Sequence, residues 1–183
     1  MKNKAINHIS IDAVAESLQE MVDNDKNALK KNPIDNDEIK KVMDFNRKKV
    51  RRIIKQHGLI SISKFGEKAS FNAWLLIQHF PKTSIKFMEK YLEMMKVSKK
   101  DINLRNLAYL QDRVNVYKGM PQIYGTQLYG KNGSKTRKFR PILNVLKVDE
   151  LRKKQNIESL SEYIEIFKQT GDFEVEIPEG YKV

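Results

Sequence analysis

Residues 65–81 read Phe65-Gly66-Glu67-Lys68-Ala69-Ser70-Phe71-Asn72-Ala73-Trp74-Leu75-Leu76-Ile77-Gln78-His79-Phe80-Pro81. From Phe71 to Ile77 the chain is apolar nearly all round, which suits a helix enclosed by others rather than one lying on a surface. Pro81 cannot continue it. The stretch predicts a central third helix over about 65–80 in a mainly helical fold.

Working outward, Ser10 is the expected N-cap of a first helix carrying Ile11, Val14, Ala15, Leu18, Met21 and Val22 to about Lys31. Asn32-Pro33 breaks it, and Asp35-Asn36-Asp37 supplies caps for a second. That helix sets Ile39, Val42, Met43, Val50, Ile53 and Ile54 on one side and stops at Gly58. Thr83 or Ser84 should cap a fourth helix with Ile85, Met88, Leu92 and Met95 inward. A fifth starts near Asn103 and ends at Gly119.

From Gly119 to Pro141 the composition changes to Gly, Tyr, Gln and Thr. Gln127-Leu128-Tyr129 and Arg137-Lys138-Phe139 read as short strands around Gly130-Lys131-Asn132-Gly133. Short helices over about Val148–Gln155 and Ser159–Lys168 follow, the last stopped by Gly171. The expectation is one helical domain over 1–170, with a β-hairpin or irregular insertion at about 120–141 and an extended or loose tail over 171–183.

The 183 residues suffice for one apolar core, burying roughly 70% of the unfolded surface. Cysteine is absent, which excludes disulfides, thiolate zinc, iron–sulfur clusters and cysteine nucleophiles. No run reaches the roughly 18 apolar residues of a membrane span, and no apolar segment follows the N-terminal lysines, so the expected location is the cytoplasm, away from membranes.

The net charge of +12 is uneven. Residues 39–64 hold nine basic residues and one acid, and residues 131–140 hold five basic residues and none. Arg47, Lys48, Arg51, Arg52 and Lys55 form a helical stripe. Lys131, Lys135, Arg137, Lys138 and Arg140 stand near Tyr129 and Phe139. Basic residues beside aromatics suit a nucleic-acid backbone with stacked bases. A solvated basic surface gives the same pattern.

Three strings carry polar groups that helix packing does not need. These are Gln78-His79, Gln111-Asp112-Arg113, and Pro121-Gln122-Ile123-Tyr124-Gly125-Thr126-Gln127. Their chemistry is acid–base work on a small polar or anionic ligand, as in a hydrolase or transferase. His79 is the candidate acid or base, Asp112 its orienter and Arg113 the anion clamp. Glu67, Gln78, Gln122, Tyr124, Thr126 and Gln127 are the candidate substrate-binding residues. Each also has a structural reading, as a helix-end histidine, an ion pair or a self-bonded turn. No metal or nucleophile signature and no glycine-rich phosphate loop occurs, so no metal or cofactor is expected.

These strings, with Ala108-Tyr109-Leu110-Gln111-Asp112-Arg113-Val114, Pro141-Ile142, Val148-Asp149-Glu150-Leu151-Arg152 and Leu160-Ser161-Glu162-Tyr163, resemble a bacterial family of unknown function from about Leu18 to Tyr163. The resemblance implies that Glu67, Trp74, Gln78, His79, Asp112, Arg113, Gln122, Tyr124, Gly125, Thr126 and Gln127 hold motif positions. It also implies that Asp25 holds an acidic position in the first helix. It implies no reaction. Lys26, Phe80-Pro81 and Asn144 depart from the family pattern.

Overall fold

The computed structural model describes residues 10–30, 35–131, 133–170 and 173–182. The chain is mainly helical, with seven α-helices and a small three-stranded sheet among the described residues. It folds as two compact units. One holds residues up to Phe80 together with Lys100–Ile102, and the other holds Pro81–Lys99 and everything from Asn103.

In the first unit, α1 (Ile11–Lys30), α2 (Asn36–His57) and α3 (Ile62–Gln78) pack on one another. Val14, Leu18 and Met21 of α1, Val50, Ile53 and Ile54 of α2, and Ala73, Leu76 and Ile77 of α3 are buried. The start signals act as read. Ser10 Oγ accepts from the Ala13 N–H at 3.1 Å. Asp35 accepts from the N–H groups of Asp37 and Glu38, each at 3.0 Å. The expected break at Asn32-Pro33, turn residue Asn132 and stop at Gly171 lie outside the described residues.

The third helix begins earlier than its apolar run. One turn, Ile62–Phe65, precedes Gly66, whose φ of 82° and ψ of 160° interrupt the helix before it resumes. That turn is anchored by Asp101, which accepts from the Ser63 N–H at 2.7 Å and from its hydroxyl at 2.6 Å.

In the second unit, a 3-10 turn at Lys82–Ser84 leads into α4 (Ile85–Val97), which packs on α5 (Leu104–Tyr117). Ser84 makes no side-chain cap bond because the 3-10 turn occupies the entry. Asn103 does cap α5, accepting from the Arg105 N–H at 2.9 Å. After the loop come β1 (Leu128–Tyr129), β2 (Thr136–Phe139), α6 (Val148–Lys153), α7 (Leu160–Thr170) and β3 (Glu174–Val175). β1 pairs antiparallel with β2, as the hairpin reading expects, and β3 adds to β2 in parallel. Helix α6 is shorter than expected. The Gln155 and Ile157 N–H groups both turn back to the Arg152 carbonyl, and Asn156 takes a φ of 55°. Val148, Leu160, Tyr163, Ile164 and Val175 form one apolar cluster here, and Met88, Leu92, Leu107 and Leu110 of α4 and α5 are buried as well. No helix among the described residues is long and apolar enough to cross a membrane.

Gly66 has open space where a Cβ would sit. Gly66→Ala therefore isolates the backbone cost of that conformation, about 1–3 kcal/mol. Urea unfolding should show a lower midpoint with an unchanged slope.

Candidate functional site

The two polar strings of the second unit meet around Asp112. Its side chain is fully buried on α5, facing the loop that follows. One carboxylate oxygen accepts from the Ile123 N–H at 2.6 Å. The other accepts from the Tyr124 and Thr126 N–H groups, both at 3.1 Å, and from the Thr126 hydroxyl at 3.0 Å. Burial raises the Asp112 carboxyl above its ordinary value, and these donors offset part of that rise.

Gln122 is equally enclosed. Its Nε2 donates to the carbonyls of Gln127 (3.2 Å) and Arg140 (2.7 Å), and its Oε1 accepts from the Gln127 N–H at 2.8 Å. Its backbone bridges to residues 141–143, donating to the Pro141 carbonyl and accepting from the Leu143 N–H, both at 2.8 Å. Gln127 Nε2 donates to the Thr126 hydroxyl at 2.9 Å. The turn needs Gly125, whose φ is 65° and where a Cβ would come within 3.0 Å of Leu160. Asp112, Gln122, Thr126 and Gln127 are thus brought together in a loop that satisfies its own polar groups. Tyr124 is half-buried there. Arg113 stays partly exposed, its guanidinium 5.9 Å from the Tyr117 ring and its buried Nε without a hydrogen-bond partner.

Sequence reasoning missed the residue that closes this loop. Arg152 of α6 is wholly buried. It donates to the carbonyls of Glu158 (2.6 Å), Tyr124 (2.6 Å) and Gly125 (3.3 Å), lies 5.0 Å from the Tyr163 ring, and faces the Glu158 carboxylate at 3.7 Å. A charged side chain reads as surface. The signal was its position four residues after Val148, on the helix's apolar side.

In the first unit, His79 occupies the C-cap position of α3 and is exposed. A positive charge on its imidazole would lower the carboxyl of Asp25 on α1. Asn46 of α2, itself buried, donates to Asp25 at 2.7 Å and to the Met21 carbonyl at 3.0 Å. Burial raises the Asp25 carboxyl above its ordinary value, against the lowering effects of Asn46 and His79. Gln78 is buried, its Oε1 without a hydrogen-bond partner. Glu67 is exposed. The signal for Asn46 was an amide on the apolar side of α2, four residues before Val50.

The basic segments differ. On α2, Lys48, Arg51, Arg52 and Lys55 are exposed, while Arg47 pairs with Asp44 at 2.7 Å. In the hairpin, Arg137 donates to the Ser134 carbonyl at 2.7 Å and lies over Phe173, and Lys138 pairs with Glu176 at 2.8 Å. Lys131, Lys135 and Arg140 are exposed, Arg140 lying 4.3 Å from the Tyr129 ring centre. No group of three or more His, Asp or Glu placed to hold a metal occurs among the described residues.

Asp112→Ala should destabilise by about 3 kcal/mol or more, since several buried donors lose their acceptor at once. Asp112→Asn, which keeps one acceptor oxygen, should lose less. Arg152→Ala should behave like Asp112→Ala. Chemical denaturation of the three variants checks this order.

Residues 11–176 match a family of unknown function, DUF6624. No curated protein and no solved structure matches the chain. With nearly its whole length covered by that family, the chain belongs to DUF6624.

Proposed function

We propose that the protein is a hydrolase or group transferase for a small polar or anionic substrate, with His79 as general acid or base and Asp25 as the carboxylate that polarises it. The observation that carries this reading is the 2.7 Å hydrogen bond from Asn46 of α2 to the half-buried Asp25 of α1, a carboxyl that a charge on His79, at the end of α3, lowers. Asp112, the orienter read from the sequence, has its carboxylate engaged by the loop it holds. Asp25 has one side-chain donor and a histidine for company.

The chemistry follows from the placement. A helix C-terminus and a nearby carboxylate both stabilise positive charge on imidazole. His79 can therefore hold a proton for a leaving group and, once neutral, take one from a nucleophilic water or hydroxyl. Asn46 fixes the Asp25 carboxylate, so the negative charge that acts with His79 has a set position.

Turnover of p-nitrophenyl phosphate and p-nitrophenyl acetate gives a first test. His79→Ala should lower kcat by about 10²–10⁴ while melting like the wild type. Asp25→Asn should lower it less and shift the imidazole titration, followed by NMR, to lower pH. Hydrolysis that survives His79→Ala unchanged would sink the reading.

Stability gives a second test with a definite sign. The raised Asp25 carboxyl contributes stability that is complete below its ordinary value of 3.8 and lost as pH rises through the folded value. Asp25→Asn lacks that loss. The Tm of the variant relative to wild type should climb as pH rises from about 4 and level off once pH passes the folded value.

A further inference from the structure

We infer that the outward face of α2 is a docking surface for single-stranded nucleic acid, with Phe45 as a stacking platform between phosphate-binding cations. Asn46, Val50, Ile53 and Ile54 turn one side of α2 into the first unit. On the opposite side Lys41, Phe45, Lys48, Arg52 and Lys55 fall within a stripe about 80° wide at 100° per residue. The stripe runs about 21 Å along the helix at 1.5 Å per residue. All five residues are exposed, and Phe45 is 61% exposed.

Two further features point to an anionic partner with flat faces. Between residues 40 and 56 the only acid is Asp44, and Arg47 already neutralises it. Like charges therefore stand at i,i+3 and i,i+4 along the stripe, a repulsion that phosphates would relieve. Lys49, which pairs with Glu20 of α1 at 3.2 Å, lies 5.9 Å from the Phe45 ring centre, so a base stacked on that ring would meet an ammonium held beside it.

The ring favours a single strand. Stacking on a side chain needs an unpaired base, whereas duplex bases are already stacked on each other. A lipid surface fits less well. An interfacial helix sinks a whole apolar face into the bilayer, and the apolar face of α2 is spent inside the protein. The hairpin cations are the weaker surface, because Arg137 and Lys138 are engaged within the fold.

Fluorescence anisotropy with labelled oligouridylate, its DNA counterpart and a matched duplex tests this on the full chain. Both single strands should bind more tightly than the duplex. The logarithm of affinity should fall with log salt by about 0.7 per phosphate engaged, giving a slope near −3 for four cations. Lys48→Glu with Arg52→Glu should abolish binding, and the milder Lys48→Gln with Arg52→Gln should flatten the salt slope. Phe45→Ala should weaken binding about tenfold with the slope unchanged. Circular dichroism confirms that each variant is folded. Three results would overturn the proposal: equal or tighter duplex binding, full binding by Phe45→Ala, or loss through Lys135→Glu with Arg140→Glu alone. Binding to phosphatidylserine vesicles without oligonucleotide binding would overturn it as well.

Discussion

The second unit depends on a turn held from two sides by opposite charges that do not touch each other. Asp112 gathers the N–H groups of Ile123, Tyr124 and Thr126, while Arg152 takes the carbonyls of Tyr124 and Gly125. The peptide groups between them are polarised in one sense, donors toward the anion and acceptors toward the cation. Burying either ion alone costs several kcal/mol of desolvation, and here peptide dipoles replace the lost water. The same loop carries Gln122, which fastens residues 140–143, and Arg152 also holds the carbonyl that precedes α7. An apolar cluster of Val148, Leu160, Tyr163, Ile164 and Val175 packs in the same unit.

The two buried or half-buried aspartates separate along the same line. Asp112 has several backbone donors and a hydroxyl fixed on it, all serving the backbone. Asp25 has one amide and feels the charge of a histidine at a helix end. Donors that belong to the backbone make a carboxylate part of the architecture, since moving its charge would unmake a turn. A carboxylate held by a single side-chain amide can change state without unmaking a turn. Residue type is equal in the two cases; the donors decide.

This explains what could be read from the chain. Helix limits were legible because their signals are local: Asp35 as a cap, Asn103 as a start, Gly58 and Pro81 as stops, and the period of apolar residues between them. The hairpin was legible from Gly130 to Gly133. The parallel strand at Glu174–Val175 was not, since two residues carry no period and their partner lies nearly forty positions earlier. The kink at Gly66 was hidden inside a helical pattern. For the site, the strings around Asp112 and Gln122 announced polar density but not its purpose, which only the directions of their bonds reveal. Asn46 and Arg152 each break an apolar stripe, and a polar residue on such a stripe is a buried group with partners elsewhere in the chain.

Helix α2 joins these threads. Its inner face sends Asn46 to Asp25, and its outer face carries Phe45 and the cations. The faces are separated by a cylinder about 10–12 Å across, and packing fixes the inner one. Sites that far apart and without shared partners act nearly independently. The helix can thus keep a high positive charge outside while holding a carboxylate steady inside. Opposing demands, apolar contact and charge, are met by one sequence because its two periods fall on opposite sides.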